Sequence, residues 1–171
     1  MYTTDKLYPI TADVLDDALS ALTRQSNHHT DAAKLLRAIK ARSGCVGRIF
    51  NRSCVQAIQA ALPGYAVRYY ISDGLKRHPR NLCIVRLDDQ GQPMPGPSNH
   101  WTFELATADE PNLTAALLDN RISYHVEEAR RYASIAAELP AQAAAYNAAA
   151  AYLQPLKRSL DTALLYAGVS R

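Results

Sequence analysis

Leu118, Ile122, His125, Ala129, Tyr132, Ala136 and Leu139 recur at alternating intervals of four and three residues. A helix with that spacing carries an apolar seam that must be covered by a second helix. The helical pattern starts after Pro111 and Asn112, meets Pro140, and resumes in an alanine-rich stretch at 141–153. Beyond Pro155 it continues through Leu156, Leu160 and Leu164 to Gly168, a residue suited to a C-cap. A proline inside a helix removes a hydrogen-bond donor and crowds the preceding turn. Pro140 is therefore the expected joint between two long helices, and residues 111–168 are expected to form an antiparallel helical hairpin. An alanine and leucine seam of this length can also pair between two chains, as a homodimer.

The N-terminal part is helical too. Val14, Leu15, Ala18, Leu19 and Leu22 share a face of a first helix, residues 12–25, with Thr11 as its cap and Asp13, Asp16 and Asp17 near its positive end. The polar run 26–30 reads as a connection. A second helix, to Arg42, has Leu35, Leu36 and Ile39 inward and stops at Ser43-Gly44. A third, 53–62, turns Val55, Ile58 and Leu62 inward, is capped by Asn51 or Ser53, and ends at Pro63-Gly64.

Between the helical regions the period changes to two. Residues 65–71, 82–87 and 100–105 are rich in aromatic and β-branched residues and read as strands. Ser72-Asp73-Gly74 is an expected turn and residues 88–92 an expected hairpin tip, while Pro93, Pro95 and Pro97 exclude a central strand there. The fold class is α+β: an N-terminal three-helix region, a small three-stranded antiparallel sheet and a C-terminal long helical hairpin. A chain of 171 residues suits a single domain, helical and basic over 1–64, sheet over 65–107, hairpin over 111–168.

With 48% apolar and 20% charged residues the composition is that of a chain with a core, not a disordered one. No apolar run reaches the eighteen residues of a membrane span, and the start of the chain lacks the basic-then-apolar order of a secretory signal. Cys45, Cys54 and Cys83 form no C-x-x-C pair, so a cytoplasmic protein with reduced thiols is expected.

Charge is segregated. Residues 1–80 hold 12 Lys and Arg against 6 Asp and Glu, residues 81–171 hold 7 against 10, and no acid lies between Asp31 and Asp73. Lys34, Arg37, Lys40, Arg42, Arg48, Arg52 and Arg68, followed by Lys76, Arg77 and Arg80, are the expected nucleic-acid-binding residues, because cations neutralise phosphates without reading sequence. Tyr65, Tyr69 and Tyr70 flank Arg68 and offer rings for base stacking.

Two triplets, His28-His29-Thr30 and His100-Trp101-Thr102, are the other candidate chemistry. They resemble the signature of two-histidine phosphoesterases. That resemblance implies catalytic roles for His28 or His29 with His100 as acid and base, and phosphate contacts from Thr30 and Thr102. The family places both triplets on central strands, whereas the first one here falls in the polar run before a helix. Neither a metal site nor a cofactor is expected: the histidines and cysteines lack ligand spacing, and no phosphate-cradling glycine motif is present.

The leading expectation is a non-enzymatic binding protein whose basic N-terminal half contacts nucleic acid or an acidic protein surface. The first alternative is an interaction or inhibitor protein, of the kind phages and mobile elements encode. It would act on a nucleic-acid-handling complex through the C-terminal helices or the 93–97 loop. The second is a phosphodiesterase-like or nucleotide-binding enzyme.

Overall fold

Three strands and three helices account for most of the described residues in a computed structural model that describes residues 8–71 and 79–166. In order they are α1 (Ala12–Arg42), α2 (Arg52–Ala61), β1 (Tyr65–Ile71), β2 (Arg80–Arg86), β3 (His100–Ala106) and α3 (Ala115–Tyr166), with one 3-10 turn, Pro97–Asn99, before β3. The fold is α+β, with a three-stranded antiparallel sheet in the order β1-β2-β3. Ser72-Asp73-Gly74 lies outside the described residues. By contact density the chain forms two compact units, Arg24–Tyr132 and the pair of flanking stretches ending at Thr23 and starting at Ala133.

Within Arg24–Tyr132, the period of two sorts the sheet into an inner and an outer face. Leu82, Ile84, Trp101, Phe103 and Leu105 point inward and are buried, while His100, Thr102 and Glu104 alternate outward. The inner face packs on Ala32, Leu35, Leu36 and Ile39 of α1, Cys54, Val55 and Ile58 of α2, and Leu118 and Ile122 of α3, with Phe50 and Leu113 filling the centre. Asn51 caps α2 by accepting from the Cys54 amide at 3.2 Å, and Gly64, at φ 81°, supplies the left-handed residue that turns the chain from α2 into β1. The tip at 88–92 closes on Asp88, whose carboxylate accepts from the Gln90 and Gln92 amides.

The N-terminal three-helix region is corrected to one long helix and one short one. Residues 26–30 do not form a connection; α1 runs through them. The side chains of Ser26, His29 and Thr30 are met inside the helix or by remote partners. The Thr30 hydroxyl donates to the Ser26 carbonyl at 2.9 Å, and the Ser26 hydroxyl to the Ala129 carbonyl of α3 at 3.0 Å. With no glycine or proline in the run, nothing stops the helix.

The expected helical hairpin is likewise replaced by one helix, α3, which carries both Pro140 and Pro155 in its interior. Both prolines are exposed, and the helix continues through them. Three seam residues of α3, His125, Ala129 and Tyr132, find their partners in Ser26 and His29 of α1. In the Arg24–Tyr132 unit the contacts Ser26 to Ala129, His29 to His125 and Lys40 to Asp119 run in opposite senses along the two helices, which are thus antiparallel. In the other unit the Asn147 side-chain amide clasps the backbone of Ile10, accepting from its N–H and donating to its carbonyl at 2.8 Å each, between buried Ala143 and Ala150. Thr11 caps α1 as expected, through the Val14 amide.

The core assignment predicts a contrast in stability. Ile58→Ala, fully buried under the sheet, should cost about 2–5 kcal/mol in urea unfolding, and Leu160→Ala, on an exposed part of α3, less than about 0.5 kcal/mol.

Candidate functional site

Positions 24, 28, 31, 35, 38 and 42 of α1 repeat at four and three and so form one face of the helix. A groove runs along that face. Its first hollow, about 230 Å³, lies between Asp31, Lys34, Leu35, Ala38 and Arg42 of α1 and the end of α2 with β1, Ala61 to Pro63 and Tyr65. The second, about 320 Å³, is lined by Arg24, Asn27, His28, Thr30, Asp31 and Lys34, faced by Arg86 at the end of β2 and by Ser98 and Asn99 of the 3-10 turn. Asp31 and Lys34 belong to both, so the hollows adjoin along the helix. A recess of about 80 Å³ opens beyond them between Arg24, His28 and Ser98. From Arg24 to Arg42 the helix rises about 27 Å.

Asp31 organises the centre of the groove. It accepts from the Lys34 ammonium at 3.1 Å and from the Arg86 guanidinium at 2.8 Å. Burial works against its ionisation, but these two hydrogen bonds and charges outweigh burial and hold the carboxyl below its usual range. Arg86 is placed from below as well, 5.5 Å from the centre of the Trp101 ring. The ring of His28 stacks on the same tryptophan, centroids 5.3 Å apart and 8° from parallel, and the indole N–H donates to the His28 carbonyl at 3.1 Å.

The expected cations have separate fates. Each step of three along a helix turns a side chain back by about 60°, so Lys34, Arg37 and Lys40 do not share one face. Lys34 lies in the groove and Arg37 is exposed on the flank beside it. Lys40 faces α3 and contacts both carboxylate oxygens of Asp119, at 2.6 and 2.7 Å. Arg42 lines the first hollow. Arg48 and Arg52 are exposed outside the groove, and the Arg80 guanidinium donates to the Phe50 carbonyl at 3.1 Å. Arg68 sits on the outer face of the sheet, opposite Cys83. Lys76 and Arg77 lie outside the described residues. Arg24 and Arg86, which complete the groove, are not in the acid-free window. Their signal was positional: Arg24 stands seven residues before Asp31, two turns along the same face. Of the tyrosines, Tyr65 reaches the groove, Tyr69 packs on Phe50 at 5.5 Å, and Tyr70 is exposed on the outer face.

The two triplets are not brought together. On α1, His28 packs against the inner face of the sheet and Thr30 is exposed, while His100 and Thr102 point from the outer face, where His100 Nε2 lies 2.9 Å from the Cys83 sulfur. His29 instead meets His125 of α3, Nδ1 to Nδ1 at 2.8 Å, beside the ring of Tyr132. Only one of those nitrogens can carry the shared proton. Burial, then the neighbouring His29, His28 and Arg121, holds His125 down to about 4. Burial and His28 also lower His29, with Glu128 opposing. Among the described residues no group of three or more His, Cys, Asp or Glu side chains is placed to hold a metal ion.

Comparison with protein-family models, with curated proteins and with solved structures gives no match.

The histidine pair makes stability pH-dependent in a definite direction. The unfolded chain protonates His125 near its ordinary value of 6.5 and the folded chain only near 4, so the unfolded state holds more protons between those values. The neutral pair is fully stabilising above pH 6.5 and that contribution is lost as pH falls toward 4. We expect Tm to fall through that window, by the equivalent of about 1 kcal/mol once solvent screening of a half-buried ring is allowed for. His125→Gln should flatten the fall. Thermal unfolding at half-unit steps of pH measures both.

Proposed function

We propose that this chain is a non-enzymatic binding protein that holds single-stranded nucleic acid along the α1 groove. The observation that carries the reading is the groove's charge: Arg24, Lys34, Arg42 and Arg86 line it against a single carboxylate, Asp31. Cations spaced along a concave track suit a phosphate backbone, and each phosphate neutralised releases a counterion. The length of about 27 Å matches on the order of four to eight nucleotides at 3.4 Å or more per nucleotide. Tyr65 supplies an aromatic wall in the first hollow. Support for a non-catalytic role comes from the separation of the two histidine triplets to opposite faces of the sheet. No helix among the described residues is long and apolar enough to cross a membrane, and the three free thiols favour the cytoplasm as the working compartment.

A protein partner is the second reading, and one feature favours it. Tyr152, Leu153, Leu156 and Leu160 of α3 are exposed large apolar side chains within three turns of helix. In this reading α3 carries the partner.

Fluorescence anisotropy with a labelled single-stranded 12-mer, DNA or RNA, tests the first reading. Four phosphate contacts give a slope of log K against log salt of about −3. Reversing Arg24, Lys34 and Arg42 together to Glu should lower affinity by at least about tenfold and flatten the slope by about 2. Arg68→Glu, on the outer face, should change neither. Absence of binding at low salt, or an equal loss with Arg68→Glu, would remove the groove as the binding surface.

A further inference from the structure

The cations are not spread evenly along the groove. The larger hollow has three, Arg24, Lys34 and Arg86, against Asp31, a formal balance of +2. The adjoining hollow adds only Arg42, and its floor is Leu35, Ala38, Leu62 and Pro63. An internal phosphodiester carries one negative charge, whereas a phosphomonoester carries close to two at neutral pH. The cation-rich end therefore matches a monoester. The hollow beside it mixes charged groups with Leu35, Ala38, Leu62 and Pro63, and these apolar side chains with the Tyr65 ring offer a surface for the flat face of a nucleobase.

Arg86 is built for this role. Asp31 engages one of its terminal nitrogens, the Tyr65 hydroxyl takes a further hydrogen bond, and the guanidinium carbon lies 5.5 Å from the centre of the Trp101 ring. A guanidinium has five donors in a fixed fork, so donors beyond those taken by Asp31 and Tyr65 can reach phosphate oxygens from a side chain already held in place. Asp31 acts as a positioning residue: it holds Arg86 and Lys34 on the same cleft from opposite sides.

From this asymmetry we infer that the Arg24–Lys34–Arg86 hollow is a subsite for the phosphomonoester of a nucleoside monophosphate unit. The unit is either the terminal nucleotide of a strand lying in the groove or a free mononucleotide. The inference rests on the same groove as the proposed function, and it is tested by ligands that separate the two.

The experiment compares one oligonucleotide sequence in three forms, with a 5′-phosphate, with a 3′-phosphate and with neither, alongside a nucleoside monophosphate and inorganic phosphate as competitors. The expected result is binding about tenfold tighter for one end-phosphorylated form than for the unphosphorylated strand. That preference should disappear in Arg86→Gln and in Arg24→Gln, the second variant being exposed and safe for folding. The preferred form identifies which end of the strand is held. Equal binding of all three forms overturns the subsite and leaves the groove reading standing. Binding of the nucleoside monophosphate without any oligonucleotide supports the subsite and overturns the groove reading. Failure of every phosphorylated ligand to bind overturns both, and competition by inorganic phosphate as strong as by the nucleoside monophosphate overturns the nucleoside part of the assignment.

Discussion

Trp101 is the residue through which α1, the sheet and the groove are joined. It is only 2% exposed, it lies on the inner face of β3, and four separate contacts converge on it. Its N–H ties to the helix backbone at His28, its face takes the His28 ring, its edge meets Tyr65 at 6.0 Å, and Arg86 lies over it. A buried indole needs both an apolar bed and one acceptor. Here the acceptor is a carbonyl of α1, so satisfying the indole fixes the helix against the sheet. The same contact sets the distance across which Asp31 on the helix reaches Arg86 on the strand. The groove is thus a consequence of core packing at one residue, carried outward by two cations and a carboxylate.

The histidine pair follows a related logic on the other flank of α1. Adjacent residues on a helix point about 100° apart, so His28 turns to the sheet and His29 to α3. One helical turn therefore makes contact with two different elements through the same residue type. His28 Nδ1 is buried without a hydrogen-bond partner, while His29 Nδ1 is paired with His125. The seam position of His125, which in an all-apolar seam would hold leucine, is filled by a ring that needs its neighbour to stay neutral.

Where each element's signal was local, it was legible in the sequence. The bounds of β1, the tip at 88–92 and the caps at Thr11 and Asn51 follow from residues within a few positions of one another. The run 26–30 was not legible, because the Ser26 and His29 side chains and the His28 carbonyl are answered by Ala129, His125 and Trp101, 73 to 103 residues away. Local polarity then imitates a loop. Pro140 misled for the opposite reason: the local signal for a break was strong, yet α3 runs through the exposed proline. The cations were legible as an acid-free window, but a window is one-dimensional. Helical twist sends Lys40 to Asp119, strand alternation sends Arg68 to the far face, and Arg24 and Arg86 enter the groove from outside the window.

Asp31 shows why charge counting along a sequence finds the region and not the site. As the last acid before the window it looked like its boundary, yet it is the centre of the groove. A carboxylate there lowers the net attraction for a polyanion by one charge. In return it fixes two long cationic side chains that would otherwise lose rotamer freedom on binding, a cost of up to about 2 kcal/mol for each such chain. At the surface, where Coulomb attraction is screened by salt, one charge is worth less than that ordering. The balance therefore favours a groove with fewer, better-held positive charges over one with more charges and no carboxylate to hold them.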